Sequence, residues 1–261
     1  MEPNGRVALI TGAGSGIGFA TSVALAKRGA KVVAVDLDGG SLEALRDTVS
    51  GVGGEALPVQ ADVTQWDDLA SAFAKGEERF GGIDIVYNNA GVNTGRPRFP
   101  DAVRERWERT IAIDLWAVLA GNQLAVAALR RRGGGVILNT ASLAAITPFP
   151  ADPAYAAAKG GVVALTRSLA FLQEDNIRVV CICPGMVDTP LLKKRELTAE
   201  EEDLVRSVPL LTPDEVAAHV VSIIEDDTLH TAVLGLLPGR PPRLIPPQIR
   251  FPDDPTEALK S

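Results

Sequence analysis

A chain of 261 residues, 46% hydrophobic and 23% charged, is long enough for one large α/β domain with a sizeable core. Its net charge of −7 argues against a nucleic-acid partner, because phosphate-backbone affinity comes from clustered Lys and Arg. The sequence shows no apolar run of membrane-spanning length and no charged-then-apolar leader at Met1–Arg6, so no membrane partner is expected and the location is expected to be cytoplasmic.

Val7–Ile10 reads as a first strand that runs straight into TGAGSGIG. Gly12, Gly16 and Gly18 let the backbone turn sharply, approach a pyrophosphate and open a helix whose N-terminus attracts phosphate; Ser15 and Ile17 sit in the same loop. The second strand, Lys31–Val35, ends at Asp36 and Leu37. A carboxylate there would accept from both hydroxyls of an adenine ribose and repel a 2′-phosphate. No Lys or Arg lies in the glycine loop or directly after Asp36 to neutralise such a phosphate, so the expected cofactor is NAD rather than NADP. After a third strand, Glu55–Gln60, Asp62 could accept from an adenine amino group while Val63 packs on the ring; a turn role for Asp62 is equally open.

Ser41–Val49 and Trp66–Phe80 read as outer helices, and Ile83–Tyr87 as the fourth strand. The stretch Asp101–Arg131 holds two helices or one bent helix, and Arg130–Arg132 before Gly133 are cations that complement a helix end. Gly135–Asn139 is a fifth strand, followed by Ser142. In PAYAAAKGG, Tyr155 and Lys159 fall one helical turn apart and can act on one atom. An ammonium so placed should lower a phenol from its usual ~10, and with the Ser142 hydroxyl the three can move a proton to or from a carbinol oxygen.

Arg178–Ile182 and Ala232–Leu236 complete the strand set. Cys181 and Cys183 alternate onto one face and read as core; His219 and His230 lack ligand spacing, so no metal site is expected. Short apolar runs alternating with amphipathic stretches predict βαβ units in a single domain, 1–237. The tail, 238–261, is rich in Pro and Arg; Pro238–Pro255 should be irregular and free to pack on a partner.

TGAGSGIG (11–18), NNAG (88–91), Ser142, YAAAK (155–159) and PGMVDT (184–189) occur in an order and spacing that resemble the short-chain dehydrogenase/reductase family from Arg6 to about Leu236. The resemblance implies a Rossmann-type doubly wound parallel sheet, about seven strands in the order 3-2-1-4-5-6-7, with helices on both faces. It implies that Asn89, Ala90 and Gly91 run along the cofactor, that the asparagines tie the central strands, and that Pro184, Gly185, Val187 and Thr189 line the nicotinamide. It implies Ser142 as hydrogen-bond partner of a small-molecule alcohol or ketone, Tyr155 as general acid/base, and Lys159 as holder of the nicotinamide ribose. It also implies a lid at about 190–212, with Leu191, Leu192 and Leu197 presenting an apolar face and EEED (200–203) solvated, and a homo-oligomer, dimer or tetramer. Asp114 departs from the pattern: it stands where the family carries a helix asparagine that anchors water to the lysine. The C-terminal third departs too, looking most like the branch that oxidises hydroxyprostaglandins with NAD and pointing to a hydrophobic secondary alcohol. The competing readings are an NADPH-dependent 3-oxoacyl-type ketoreductase and a cofactor-binding regulator without turnover; the latter has no need of Ser142, Tyr155 and Lys159 together.

Overall fold

The computed structural model describes residues 1–194 and 196–247. Seven apolar runs form parallel strands β1 (Val7–Thr11), β2 (Lys31–Asp36), β3 (Glu55–Gln60), β4 (Ile85–Asn88), β5 (Gly135–Thr140), β6 (Ile177–Pro184) and β7 (Thr231–Leu236). The central strands are almost wholly buried because both faces are covered, as a parallel sheet requires, while the edge strand β3 is half-exposed. Val7 and Leu9 pack with Val33, Val86 and Ile137 on one face, while Ala8 and Ile10 pack with Val32, Ile85 and Leu138 on the other.

Nine α-helices connect the strands among the described residues: α1 (Gly16–Lys27), α2 (Gly39–Gly51), α3 (Trp66–Phe80), α4 (Arg104–Ile111), α5 (Ala117–Arg132), α6 (Pro153–Ser168), α7 (Pro190–Lys193), α8 (Ala199–Ser207) and α9 (Pro213–Glu225). Helices α1, α2 and α9 cover the Ala8 face; α3 and α5 cover the Leu9 face, and α6 extends that layer over Cys181, Cys183 and Val233. Both cysteines are buried there and unbridged.

The sheet order is 3-2-1-4-5-6-7-8. The eighth strand, β8 (Arg243–Leu244), pairs antiparallel with β7, which corrects the expectation of an irregular tail. Arg167 donates to the carbonyls of Ile245 and Pro246 at 3.2 and 3.1 Å, and Ile245 packs beside Cys181 and Cys183. Residues 240–247 thus close the edge of their own sheet; the rest of the predicted tail, 248–261, lies outside the described residues.

Helices α4 and α5 form one run through a π-helical turn at Ala112–Trp116, which carries Asp114 inward. By length and apolar content this run could cross a membrane, but half of its apolar window is buried, and it packs on α3, α6 and the central strands. Its basic end is paired rather than free: Arg130 with Asp175, Arg131 with Glu77 and Arg132 with buried Asp84.

Candidate active site

Strand order reverses between β1 and β4, and the loops at the carboxyl ends of these strands border a crevice, where open α/β sheets place their ligands. Gly12 follows β1 at φ +64°, and a Cβ there would stand 2.9 Å from the Ala90 Cα. The loop therefore lies against the chain leaving β4. Asn89 fastens the two, its side-chain amide donating to the Thr11 carbonyl and its backbone N–H to the Thr11 hydroxyl, both at 3.0 Å. At the end of β2 the Asp36 carboxylate accepts from Gly14 N at 2.9 Å and Asp38 N at 3.1 Å, which fixes its orientation.

Asp152 and Pro153 start α6 as an N-cap followed by proline at the first turn. The buried Asp152 carboxylate accepts from Tyr155 N at 3.2 Å and Thr94 N at 2.8 Å, so one side chain sets both the helix start and the loop facing it. Sequence reasoning missed Asp152, although the Asp-Pro pair was a legible helix-start signal. From this start α6 presents Tyr155 and Lys159. The Lys159 ammonium donates to the Thr140 carbonyl at 2.9 Å and lies 5.7 Å from the centroid of the Tyr155 ring. Ser142 caps the short turn Leu143–Ala145, accepting from Ala144 N at 3.2 Å, and lines the same cavity as Tyr155. Beneath them Asn139 accepts from Asn88 and Asn122 at 2.9 Å each and donates to Thr166 at 3.1 Å, binding β4, β5, α5 and α6 into one support.

Asp114 is fully buried; Oδ1 accepts from Val92 N at 2.8 Å and Oδ2 stands 3.2 Å from the Lys159 ammonium. Burial pushes its carboxyl up while Lys159 pulls it down, the net direction being upward. Burial alone would lower the Lys159 ammonium, but Asp114 and Tyr155 outweigh it and hold the ammonium above its usual value. The Tyr155 phenol is raised, not lowered: burial pushes it up, Lys159 and Ser142 pull it down, and Asp114 and Asp152 oppose them. The expected downward shift assumed a lysine whose charge faced the phenol alone.

All the predicted site residues except Gly18 and Asp62 line one cavity of about 840 Å³. Gly18 instead lies under the loop, where a Cβ would be 2.1 Å from the Gly12 carbonyl oxygen. Asp62 closes a turn by accepting from the Thr64 N–H at 2.9 Å and hydroxyl at 2.7 Å, and of its two readings the turn role is the one seen. The wall beyond Ser142 is apolar, with Leu143, Phe149, Val208 and Leu237 joining Leu191 and Leu192; Leu197 lies outside it. The residues of this wall that the sequence reading left unnamed, Phe149 and Leu237 among them, come from separate loops and share no local pattern.

The lid is latched. Arg96 donates to the Glu196 carbonyl at 2.7 Å, Arg96 and Arg98 both bind the Glu201 carboxylate, and Asn93 donates to the Leu191 carbonyl at 3.0 Å. This corrects the reading of EEED as solvated surface: Glu200, Glu202 and Asp203 are exposed, whereas Glu201 is half-buried between two arginines. Burial opposes its charge, yet Arg98 and the Thr198 N–H hold its carboxyl down at about 2, so the latch stays charged at any working pH. Glu201→Gln should loosen the lid and raise KM for the alcohol roughly two- to fivefold, about the worth of a part-exposed ion pair, with kcat little changed. An unchanged KM in steady-state kinetics would show that the latch does not gate the cavity.

The sequence model for the short chain dehydrogenase family matches residues 6–200. The chain belongs to this family. It is 35% identical over 257 residues to the bovine (Bos taurus) 15-hydroxyprostaglandin dehydrogenase (NAD+), covering 90% of this chain and 92% of the relative. It is 35% identical over 228 residues to the cyclohexanol dehydrogenase of Acinetobacter sp. strain SE19, covering 86% and 89%. Among solved structures, a 7α-hydroxysteroid dehydrogenase complexed with NADH and 7-oxo glycochenodeoxycholic acid superposes with a TM-score of 0.85 at 29% identity, covering 94% of this chain and 97% of the other. This short-chain dehydrogenase is therefore an NAD(P)-dependent oxidoreductase acting on CH–OH groups.

Proposed function

We propose that this short-chain dehydrogenase uses NAD to interconvert a hydrophobic secondary alcohol and its ketone, with Tyr155 as general acid/base. The observation that carries the reading is the single cavity that has Asp36 at one end and Ser142, Tyr155 and Lys159 at the other, so that a dinucleotide and an alcohol can meet within it. The fit to a dinucleotide rests on the loop's close approach at Gly12 and Gly18, which leaves backbone N–H groups at the start of α1 facing the crevice, and on the Asp36 carboxylate already oriented by two N–H groups. When bound, NAD accepts the hydride and NADH returns it.

The chain supplies position and proton transfer. Asp36 would take the ribose hydroxyls, and Pro184, Gly185, Val187 and Thr189 would border the nicotinamide. Ser142 would hold the substrate oxygen, while Tyr155 takes the hydroxyl proton in oxidation and gives it back in reduction. The apolar wall of Leu143, Phe149, Leu191, Leu192, Val208 and Leu237 favours a hydrophobic body around the carbinol, in keeping with the prostaglandin, cyclohexanol and steroid substrates that the relatives' names carry. A panel of secondary alcohols and ketones assayed with both cofactors tests this; turnover confined to 3-oxoacyl thioesters with NADPH would overturn it. Exposed Trp116, Leu119 and Phe171 on the outer helices support the expected homo-oligomer.

NAD selectivity follows from charge. Asp36 and Asp38 both border the cavity, and among the described residues its cationic side chains, Lys159 and Arg109, come from α6 and α4 rather than from the β2 end. NADH should bind at least about tenfold more tightly than NADPH, a difference near 1.4 kcal/mol, and Asp36→Ala should shrink that ratio. Titration of protein fluorescence with each nucleotide measures it, and a tenfold preference for NADPH in the wild type would refute the assignment.

A further inference from the structure

Asp114 meets Lys159 in a setting that leaves the pair little else to lean on. Both side chains are buried, 0% and 3% exposed, and the Gly91 backbone closes over them: a Cβ at Gly91 would stand 3.3 Å from Asp114 Oδ2 and 3.4 Å from the ammonium. Oδ1 is satisfied by Val92 N, whereas Oδ2 has no aligned hydrogen-bond donor and only the ammonium charge at 3.2 Å. The π-helical turn points the carboxylate here, and Gly161 of α6 lets it come close, since a Cβ at that glycine would be 2.8 Å from Leu115.

The ammonium donates one hydrogen bond to the Thr140 carbonyl and stands beside Asp114 as an ion pair. A carboxylate this close, in a low-dielectric setting, cancels much of the positive field that would otherwise stabilise a phenolate at Tyr155. The other titratable groups packed around the pair are Asp152 at the start of α6, whose carboxylate adds to the same effect, and the buried Cys181 and Cys183 thiols on β6; Arg109 of α4 lines the same cavity.

We propose that Asp114 is a positioning residue: it holds the Lys159 ammonium against the α4–α5 helical run and shares its charge, so that Tyr155 works as a base only at higher pH than it would beside an amide. Alcohol oxidation thereby reaches its plateau at a higher pH than it would with an asparagine at position 114. Burial is the larger cause that raises the Tyr155 phenol, and the Asp114 charge adds to it.

The inference rests on Tyr155 being the acid/base, and its test has a readout that needs neither cofactor nor turnover. The chain has two tyrosines. Tyr87 is fully buried and shares a 2.9 Å hydrogen bond with Thr140, so the part of the tyrosinate absorbance that Tyr155→Phe removes is the part that belongs to Tyr155. In cofactor-free protein, Asp114→Asn should move that midpoint down by at least about half a pH unit. The acid limb of kcat/KM for alcohol oxidation should move down with it, with turnover at neutral pH preserved or raised. Asp114→Ala should shift both in the same direction, which keeps the test open if the asparagine variant folds poorly. Superimposable titrations and pH profiles, or a loss above about tenfold at every pH without a shift, would overturn the inference and leave Asp114 a packing residue. Tyr155→Phe with undiminished turnover would instead overturn the acid/base reading itself.

Discussion

Tyr155→Phe should lower kcat for alcohol oxidation by roughly 10²- to 10⁴-fold, the usual worth of a positioned acid or base, while NAD affinity changes by less than about threefold. The substitution removes one hydroxyl and keeps the ring, which lies 6.2 Å from the Phe149 ring and below the Lys159 ammonium. It also leaves the α6 start intact, because Asp152 holds the Tyr155 backbone N–H rather than the phenol. Ser142 keeps its contact with Ala144 N, so its hydroxyl stays in place. Single-turnover kinetics with saturating NAD isolate the chemical step; retention of wild-type turnover would show that the proton leaves by another route.

Gly18→Ala should weaken NAD binding roughly 30- to 100-fold, equivalent to about 2–3 kcal/mol of overpacking at a site with no slack. The new methyl would be placed 2.1 Å from the Gly12 carbonyl oxygen and 2.7 Å from the Asn89 amide nitrogen. Relief requires the loop to lift away from the chain after β4, which breaks the Asn89 contacts to Thr11 and moves the first turn of α1 out of line with the crevice. Gly51→Ala, where nothing lies within 4 Å, is the control and should leave binding unchanged. Calorimetric titration with NAD measures both. Equal affinities for wild type and Gly18→Ala would mean that the close approach at this loop does not shape the cofactor site.

Much of this architecture could be read before any coordinates. The glycine loop, the strand-end Asp36 and the one-turn spacing of Tyr155 and Lys159 are local patterns, each confined to a few residues whose chemistry follows from backbone freedom, charge and helical period. The strand order came with the family resemblance carried by five spaced motifs. Local patterns also mark the limits of what could be read. Asp62 looked equally suited to an adenine and to a turn, and the fold shows its Oδ1 accepting from Thr64 in a turn. Glu201 looked like one of four solvated acids until Arg96 and Arg98, about a hundred residues earlier in the chain, were brought beside it.

The sequence was therefore sufficient for fold class, for naming Ser142, Tyr155 and Lys159, which the fold gathers in one cavity, and for the position at which Asp114 breaks the family pattern. The balance of charge among those groups required the fold. Tyr155, Lys159 and Asp114 come from two different helices, and whether the ammonium stabilises a phenolate or shares its charge with a carboxylate depends on separations of a few ångström within a buried space. Coulomb and desolvation energies vary steeply with distance and burial, and neither quantity is encoded in the spacing of residues along a chain.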